Sequence, residues 1–261
     1  MSTRQPAAAG AFYPSGRGEL TIMVRRFLSV RPRRLGGDLR ALIAPHAGYV
    51  YSGAVAGVAF SQLSLLPRDE SWRVVLLGPS HSTAFPGACL CASTEWLTPL
   101  GPVQVDKDAR VFATGLVSVD EMPHQHEHCL EVELPFLQAA LRDFTIVPLL
   151  TGDCSPSALA SDLLPLLTER TLLVVSSDLS HYLPDRAARK VDQVANEAIP
   201  ALDIRRFAAE GDACGKCAIL TLMEIARTLG WRGHLLDYRT SGDTSRDQGR
   251  VVGYGAYAFV S

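Results

Sequence analysis

Short, almost wholly apolar runs alternate along the chain with longer stretches in which apolar residues recur every three or four positions. The first kind predicts strands buried on both faces, the second amphipathic helices. Leu20, Val24, Phe27 and Leu28 keep helical spacing after the turn Tyr13-Pro14-Ser15-Gly16, with Ser15 in the N-cap position. ALIAPHAGY (41–49) reads as a strand that stops at Pro45-His46, and the small residues of 52–63 follow as a helix. VVLLGPSH (74–81), FTIVPLL (144–150) and TLLVVSS (171–177) are further strands, and residues 88–105 fold back as a hairpin with its bend at Pro99 to Pro102. Helices are predicted over 107–117 and over 129–142, where Pro135 imposes a kink or a late start. More helices start at Ser155-Pro156 and near Pro184, and a last one runs from Cys214 to a stop at Gly230. Two strands, around 233–242 and 251–260, close the chain. This alternation predicts a single α/β domain over 1–261. Its central sheet is mixed but mostly parallel, flanked by helices, with antiparallel pairing near the end.

Composition narrows the picture without changing it. With 261 residues, 47% of them apolar, there is ample material for a core. A net charge of -2 excludes a general nucleic-acid binder, which needs a basic excess. The arginines at 25, 26, 31, 33, 34 and 40 read as a solvated helix end and loop. No apolar stretch reaches the roughly 20 residues of a membrane span, and the start carries no charged-then-apolar leader pattern. Six scattered cysteines in a chain of this size fit reduced thiols in a cytoplasm.

Candidate chemistry sits where the apolar strands stop. Three of them run into a histidine: ALIAP-His46, VVLLGPS-His81 and LLVVSSDLS-His181. Ligands of open α/β sheets bind beyond the carboxyl ends of the strands, so parallel strands would bring three imidazoles to one rim. Gly78 and Pro79 are read as ending the strand pairing and turning the chain so that His81 faces the pocket. Asp178, three residues before His181, could orient it. Imidazoles on a common rim make a transition-metal site the natural hypothesis, with a carboxylate or thiolate as the missing ligand. Cys214 is the thiolate candidate, since a helix start and nearby Lys216 would both favour the anion. Cys217 reads as a small buried hydrophobe. The Cys-Gly-Lys-Cys spacing resembles the thioredoxin redox motif, but nothing upstream supplies that frame. Cys89 and Cys91 read as filler. In His124-Gln125-His126-Glu127-His128, only Glu127 and His128 adjoin an apolar helix and so hold defined positions near a pocket. Nucleophile-elbow, phosphate-loop and dinucleotide-loop motifs are absent from the sequence.

Taken together, AGAFYP, APHAGYVYSG (44–53), LLGPSH (76–81), TPLGPVQVD, EHCLEVELPFLQ (127–138), SSDLSHY (176–182), the Cys-Gly of DACGK, and the closing SGD and VVGYGAYAF resemble the Memo family. This is protein B of the AmmeMemoRadiSam system, and the match runs nearly end to end. The resemblance implies a fold like that of the class III extradiol dioxygenases, non-haem iron enzymes that open catechol rings with O₂. By position, His46 and His81 match the two metal-binding histidines and His181 the acid/base histidine. Cys214 falls where those enzymes carry a glutamate ligand, and Asp178 lies beside the set. A thiolate there is softer than a carboxylate and shifts preference toward copper, zinc or thiolate-bound iron. Family association also implies AMMECR1-like and radical-SAM partner proteins. A eukaryotic branch is described as a signalling adaptor that binds phosphotyrosine peptides.

The expectation is a cytoplasmic metal-dependent oxidoreductase acting with O₂ on a small-molecule substrate, aromatic compounds among the candidates. His46, His81 and Cys214 would hold one transition metal ion, Fe(II) first, with Cu or Zn as alternatives. His181, oriented by Asp178, would move the proton, and Glu127 and His128 would shape the pocket. The alternatives are a non-catalytic binding or adaptor protein using the same pocket for a peptide or anion, and a Zn-dependent hydrolase. No nucleic-acid or membrane partner is expected.

Overall fold

A computed structural model describes residues 2–67, 69–109 and 115–261. In chain order its elements are β1 (Thr3–Arg4), α1 (Arg17–Leu28), β2 (Leu39–Ala44), α2 (Tyr49–Ser61), β3 (Trp72–Pro79), β4 (Ala88–Leu90), β5 (Glu95–Thr98), β6 (Gly101–Gln104) and β7 (Val117–Val119). These are followed by α3 (Leu134–Ala140), β8 (Phe144–Thr151), α4 (Pro156–Leu163), β9 (Thr171–Ser176), β10 (His181–Leu183), α5 (Asp185–Ala201), α6 (Ile204–Glu210), α7 (Lys216–Leu229), β11 (Arg232–Thr240), α8 (Gly242–Ser245) and β12 (Val251–Val260).

The main sheet runs β10-β12-β2-β9-β3-β8-β4-β7, with β11 also paired to β12. Its centre, β2-β9-β3-β8, is wholly parallel. These strands are apolar at nearly every position because both faces are covered. On one face Leu42, Val74, Leu76 and Val174 pack with α2 and α3. On the other Ile43, Val75, Leu77 and Val175 pack with α4 and α7. β12 pairs antiparallel with β2 and β11, the antiparallel pairing expected near the end. β1, β5 and β6 form a separate small sheet around the predicted hairpin.

Local departures have local causes. The α1 cap position is held by Gly16 without a side-chain cap, so Ser15 is not the N-cap. Pro135 produces the late start: residues 131–133 form a 3₁₀ turn and the α-helix begins at Leu134. Ser155 caps α4 as expected, accepting a hydrogen bond from Ala158 N. Residues 110–114 of the helix predicted over 107–117 lie outside the described residues, and 117–119 form β7 instead. α6, β7 and β10 are too short to leave a periodic signal. No helix among the described residues is long and apolar enough to cross a membrane.

Candidate metal centre

The parallel strands end on one side of the sheet, and their carboxyl ends carry the predicted residues. β2 stops at Ala44, so His46 stands two residues beyond it, 2% exposed. β3 does not stop where the sequence suggested. Gly78 and Pro79 stay paired with Leu150 and Thr151, and even Ser80 N reaches Thr151 O. Gly78 serves close approach instead of a turn: a Cβ there would lie 2.9 Å from both Cys129 Sγ and Leu130 Cδ2. The missing side chain lets segment 127–130 lie against the end of β3, with Cys129 Sγ donating to Pro79 O at 3.1 Å.

That approach delivers Glu127 to His81. The carboxylate accepts from His81 N at 2.6 Å and faces His81 Nδ1 at 2.9 Å. It also takes the backbone N–H groups of His128 and Cys129 at 2.8 and 3.1 Å, and lies 3.1 Å from His128 Nδ1. Burial pushes the Glu127 carboxyl up, but the donors from His128, His81 and Cys129 outweigh it and hold the group far below the carboxylate range. One ionised carboxylate thus orients two imidazoles by their Nδ1 atoms, leaving Nε2 of each as the free nitrogen. The His81 ring is raised above the ordinary histidine value, chiefly by this hydrogen bond.

Ring nitrogens of His46, His81 and His128 all lie within 4.8 Å of one another. The His46 ring is edge-on to both others, at centroid distances of 5.1 and 5.4 Å, and His81 and His128 are 4.7 Å apart. His46 Nδ1 is 2.9 Å from Ser176 Oγ, the last residue of β9, so its Nε2 is the nitrogen turned to the group. Behind Ser176, Glu133 Oε1 is 2.6 Å away, while Glu133 Oε2 is buried without a partner among the described residues. Burial raises the Glu133 carboxyl well above its usual range, as expected of a neutral acid. Burial first, then the charges of His128 and His81, hold His46 well below the usual imidazole value, in the bare form a metal requires.

Cys214 adjoins the group from the far side. Its Sγ is 3.2 Å from His46 Nε2 and accepts from Asp178 N at 3.2 Å. It precedes α7 rather than opening it, and burial, reinforced by Asp178, pushes its thiol up to about 12. Lys216, expected to favour the thiolate, has its Nζ on Gly211 O at 2.8 Å instead. Asp178 is tied to the His46 turn: its Oδ1 accepts from His46 N at 2.9 Å and Ala47 N at 3.3 Å. No hydrogen bond joins it to His181 among the described residues. His181 opens β10, half-buried, with its ring 5.8 Å from that of Tyr182, and it is not one of the three histidines whose ring nitrogens converge. Burial lowers its imidazole and keeps it neutral.

The run His124-Gln125-His126-Glu127-His128 divides in three. His124 is fully buried with Nε2 on Cys89 O at 3.0 Å, His126 is exposed, and Glu127 and His128 face the site. Sequence reasoning missed the frame that fixes them. Buried Glu131 accepts from Ala7 N, Ala8 N, Tyr13 Oη and Arg4 Nη1, at 2.6–2.8 Å. Arg4 also donates to the carbonyls of His124 and Glu127. Phe12 stacks on the His128 ring at 4.2 Å. Residues 4–13 thus act as a clamp on the Glu127 segment, a function that no local pattern announces. Ser176 and Glu133 were also missed, since a serine after an apolar strand carries no signal of its own.

Three or four imidazole and thiol donors, two of them oriented by one buried carboxylate, fit a transition metal ion. The comparisons with known proteins agree with the motifs. The model of the family described as Memo-like protein matches residues 4–258. A MEMO1 family protein of Archaeoglobus fulgidus is 36% identical over 98% of this chain and 99% of its own length. One from Aquifex aeolicus is 33% identical over the full length of both. A solved structure, an uncharacterized Escherichia coli K12 protein, aligns at a TM-score of 0.49 and 14% identity over 86% of this chain and all of its own. With the family's model spanning both ends of the sheet and the clamp that frames the histidines, the chain belongs to the Memo-like protein family.

Proposed function

We propose that the protein is a single-metal oxidoreductase that acts with O₂ on a small aromatic substrate. The observation that carries this reading is the convergence of His46, His81 and His128 within 4.8 Å, with Glu127 behind two of the rings. His46, His81 and His128 would hold the ion, with Cys214 beside His46 Nε2 as the fourth donor. Such a donor set suits iron, copper or zinc, and the resemblance to non-haem iron dioxygenases favours Fe(II). Bound there, the ion would supply the redox chemistry that side chains lack.

The chain's own residues do the rest. Glu127 fixes the tautomers of His81 and His128 by holding a proton on each Nδ1. Ser176 does the same for His46. Asp178 locks the backbone turn that presents His46, and Phe12 closes the side of the site behind His128. His181, neutral and partly open to solvent, accepts a substrate proton at its ring. The test is anaerobic purification with metal stoichiometry for wild type, His81→Ala, His128→Ala and Cys214→Ser, followed by oxygen uptake with catechols. Loss of metal in both histidine variants is expected. Full metal in both would overturn the reading, and ligand binding that survives chelation without oxygen uptake would point to a binding protein instead.

A further inference from the structure

The Cys-Gly-Lys-Cys run holds a second chemistry, though not between its own two cysteines. Cys214 Sγ is turned inward to His46 and the Asp178 backbone. Cys217, in the first turn of α7, points to Cys154 instead, and the two sulfurs stand 2.7 Å apart. Both cysteines are partly accessible and unbonded. Cys217 also lines an open cavity of about 620 Å³ with Ser80, Thr151, Asp153 and Cys214.

The placement is rigid on both sides. Beyond β8, Gly152 N bonds to Gly87 O and Asp153 N to Phe85 O, and any side chain at Gly152 would strike the Phe85 backbone. Cys154 is therefore held by a fixed turn against α7, whose Ile219 N closes on Gly215 O. A disulfide needs its sulfurs at about 2.05 Å, and the two stand only 2.7 Å apart before any bond forms. The hydrogen bond with Cys154 lowers Cys217, which makes Cys217 the more readily ionised sulfur of the pair.

We infer that Cys154 and Cys217 form a reversible dithiol–disulfide site that reacts with a small hydroperoxide. The Cys217 thiolate attacks the outer peroxide oxygen and breaks the O–O bond, giving a sulfenic acid, while the leaving alkoxide or hydroxide takes a proton and departs as alcohol or water. The Cys154 sulfur then attacks the sulfenic sulfur, an S–S bond forms, the S–O bond breaks and water leaves. Two thiols are oxidised and one peroxide is reduced. A dithiol reductant reverses the change by exchange and is itself oxidised to a disulfide. In a reducing compartment such a bond is transient, as a sensing or catalytic pair requires.

The full chain as purified, treated with hydrogen peroxide and alkylated after denaturation, tests this. Two of the six thiols should be lost to a Cys154–Cys217 cross-link, recovered as a joined peptide pair, and both should return with dithiothreitol. Cys154→Ser should trap Cys217 as a dimedone-reactive sulfenic acid, Cys217→Ser should keep its remaining five thiols, and Cys214→Ser should still form the cross-link. A Cys214–Cys217 bond, or six thiols that persist at peroxide excess, would overturn the inference. So would over-oxidation of Cys217 in wild type without a cross-link.

Discussion

Replacing Glu127 by glutamine separates orientation from mere filling of space. The carboxylate takes five donors: the backbone N–H groups of His81, His128 and Cys129, and the Nδ1 atoms of His81 and His128. Four of these converge on Oε1, and Oε2 serves His81 N at 2.6 Å. An amide can keep the Oε1 role, but its NH₂ then faces the His81 backbone donor, and the charge that stabilises both Nδ1–H groups is gone. Substituting one such partner of a metal-binding histidine costs about 10–100-fold in affinity. Because Glu127 serves two rings, the upper end applies, about 100-fold or roughly 2.7 kcal/mol. Anaerobic titration of wild type and Glu127→Gln against a chromophoric chelator, with Fe(II) and then Zn(II), measures it. A folded variant that binds as tightly as wild type would refute the orienting role.

Three further outcomes concern stability. Glu131→Gln leaves Arg4 buried without its partner and should cost about 3–5 kcal/mol in urea unfolding, whereas Arg206→Ala, which breaks an exposed pair with Glu197, should leave the midpoint unchanged. Burial holds the His124 imidazole down to about 4, so the unfolded chain, near 6.5, takes up its proton first as pH falls. Stability should therefore be full above pH 6.5 and fall by about 2 kcal/mol by pH 5, a slope that His124→Gln should flatten in denaturation midpoints measured across that range. Gly57→Ala would normally favour a helix, but its Cβ would lie 2.5 Å from Phe27 O where α1 crosses α2, so a loss of about 1–3 kcal/mol is expected by chemical denaturation.

The fold was legible because its central strands are buried on both faces, and an uninterrupted run such as VVLL admits few other placements. The rim was legible for the same reason: histidines that follow such runs come to the carboxyl edge together, as His46 and His81 do. What escaped is long-range. Arg4 reaches Glu131 across 127 positions, and Ser176 reaches Glu133 across 43. Neither pairing leaves a periodic trace, so the clamp and the buried acid show only in the folded chain. The sequence places His128 near a pocket but not among the converging rings, because its approach depends on the space left at Gly78, which reads as a turn. Cys217 reads as a hydrophobe from sequence because its partner lies 63 residues away.

The central claim is that the histidine rim holds one metal ion. Crystals grown anaerobically from metal-loaded protein, with diffraction recorded on both sides of the iron, copper and zinc absorption edges, address it directly. One anomalous peak is expected about 2.1 Å from ring nitrogens of His46, His81 and His128. A peak held elsewhere in the chain, or none with the three rings ordered and the site filled by water, would contradict it.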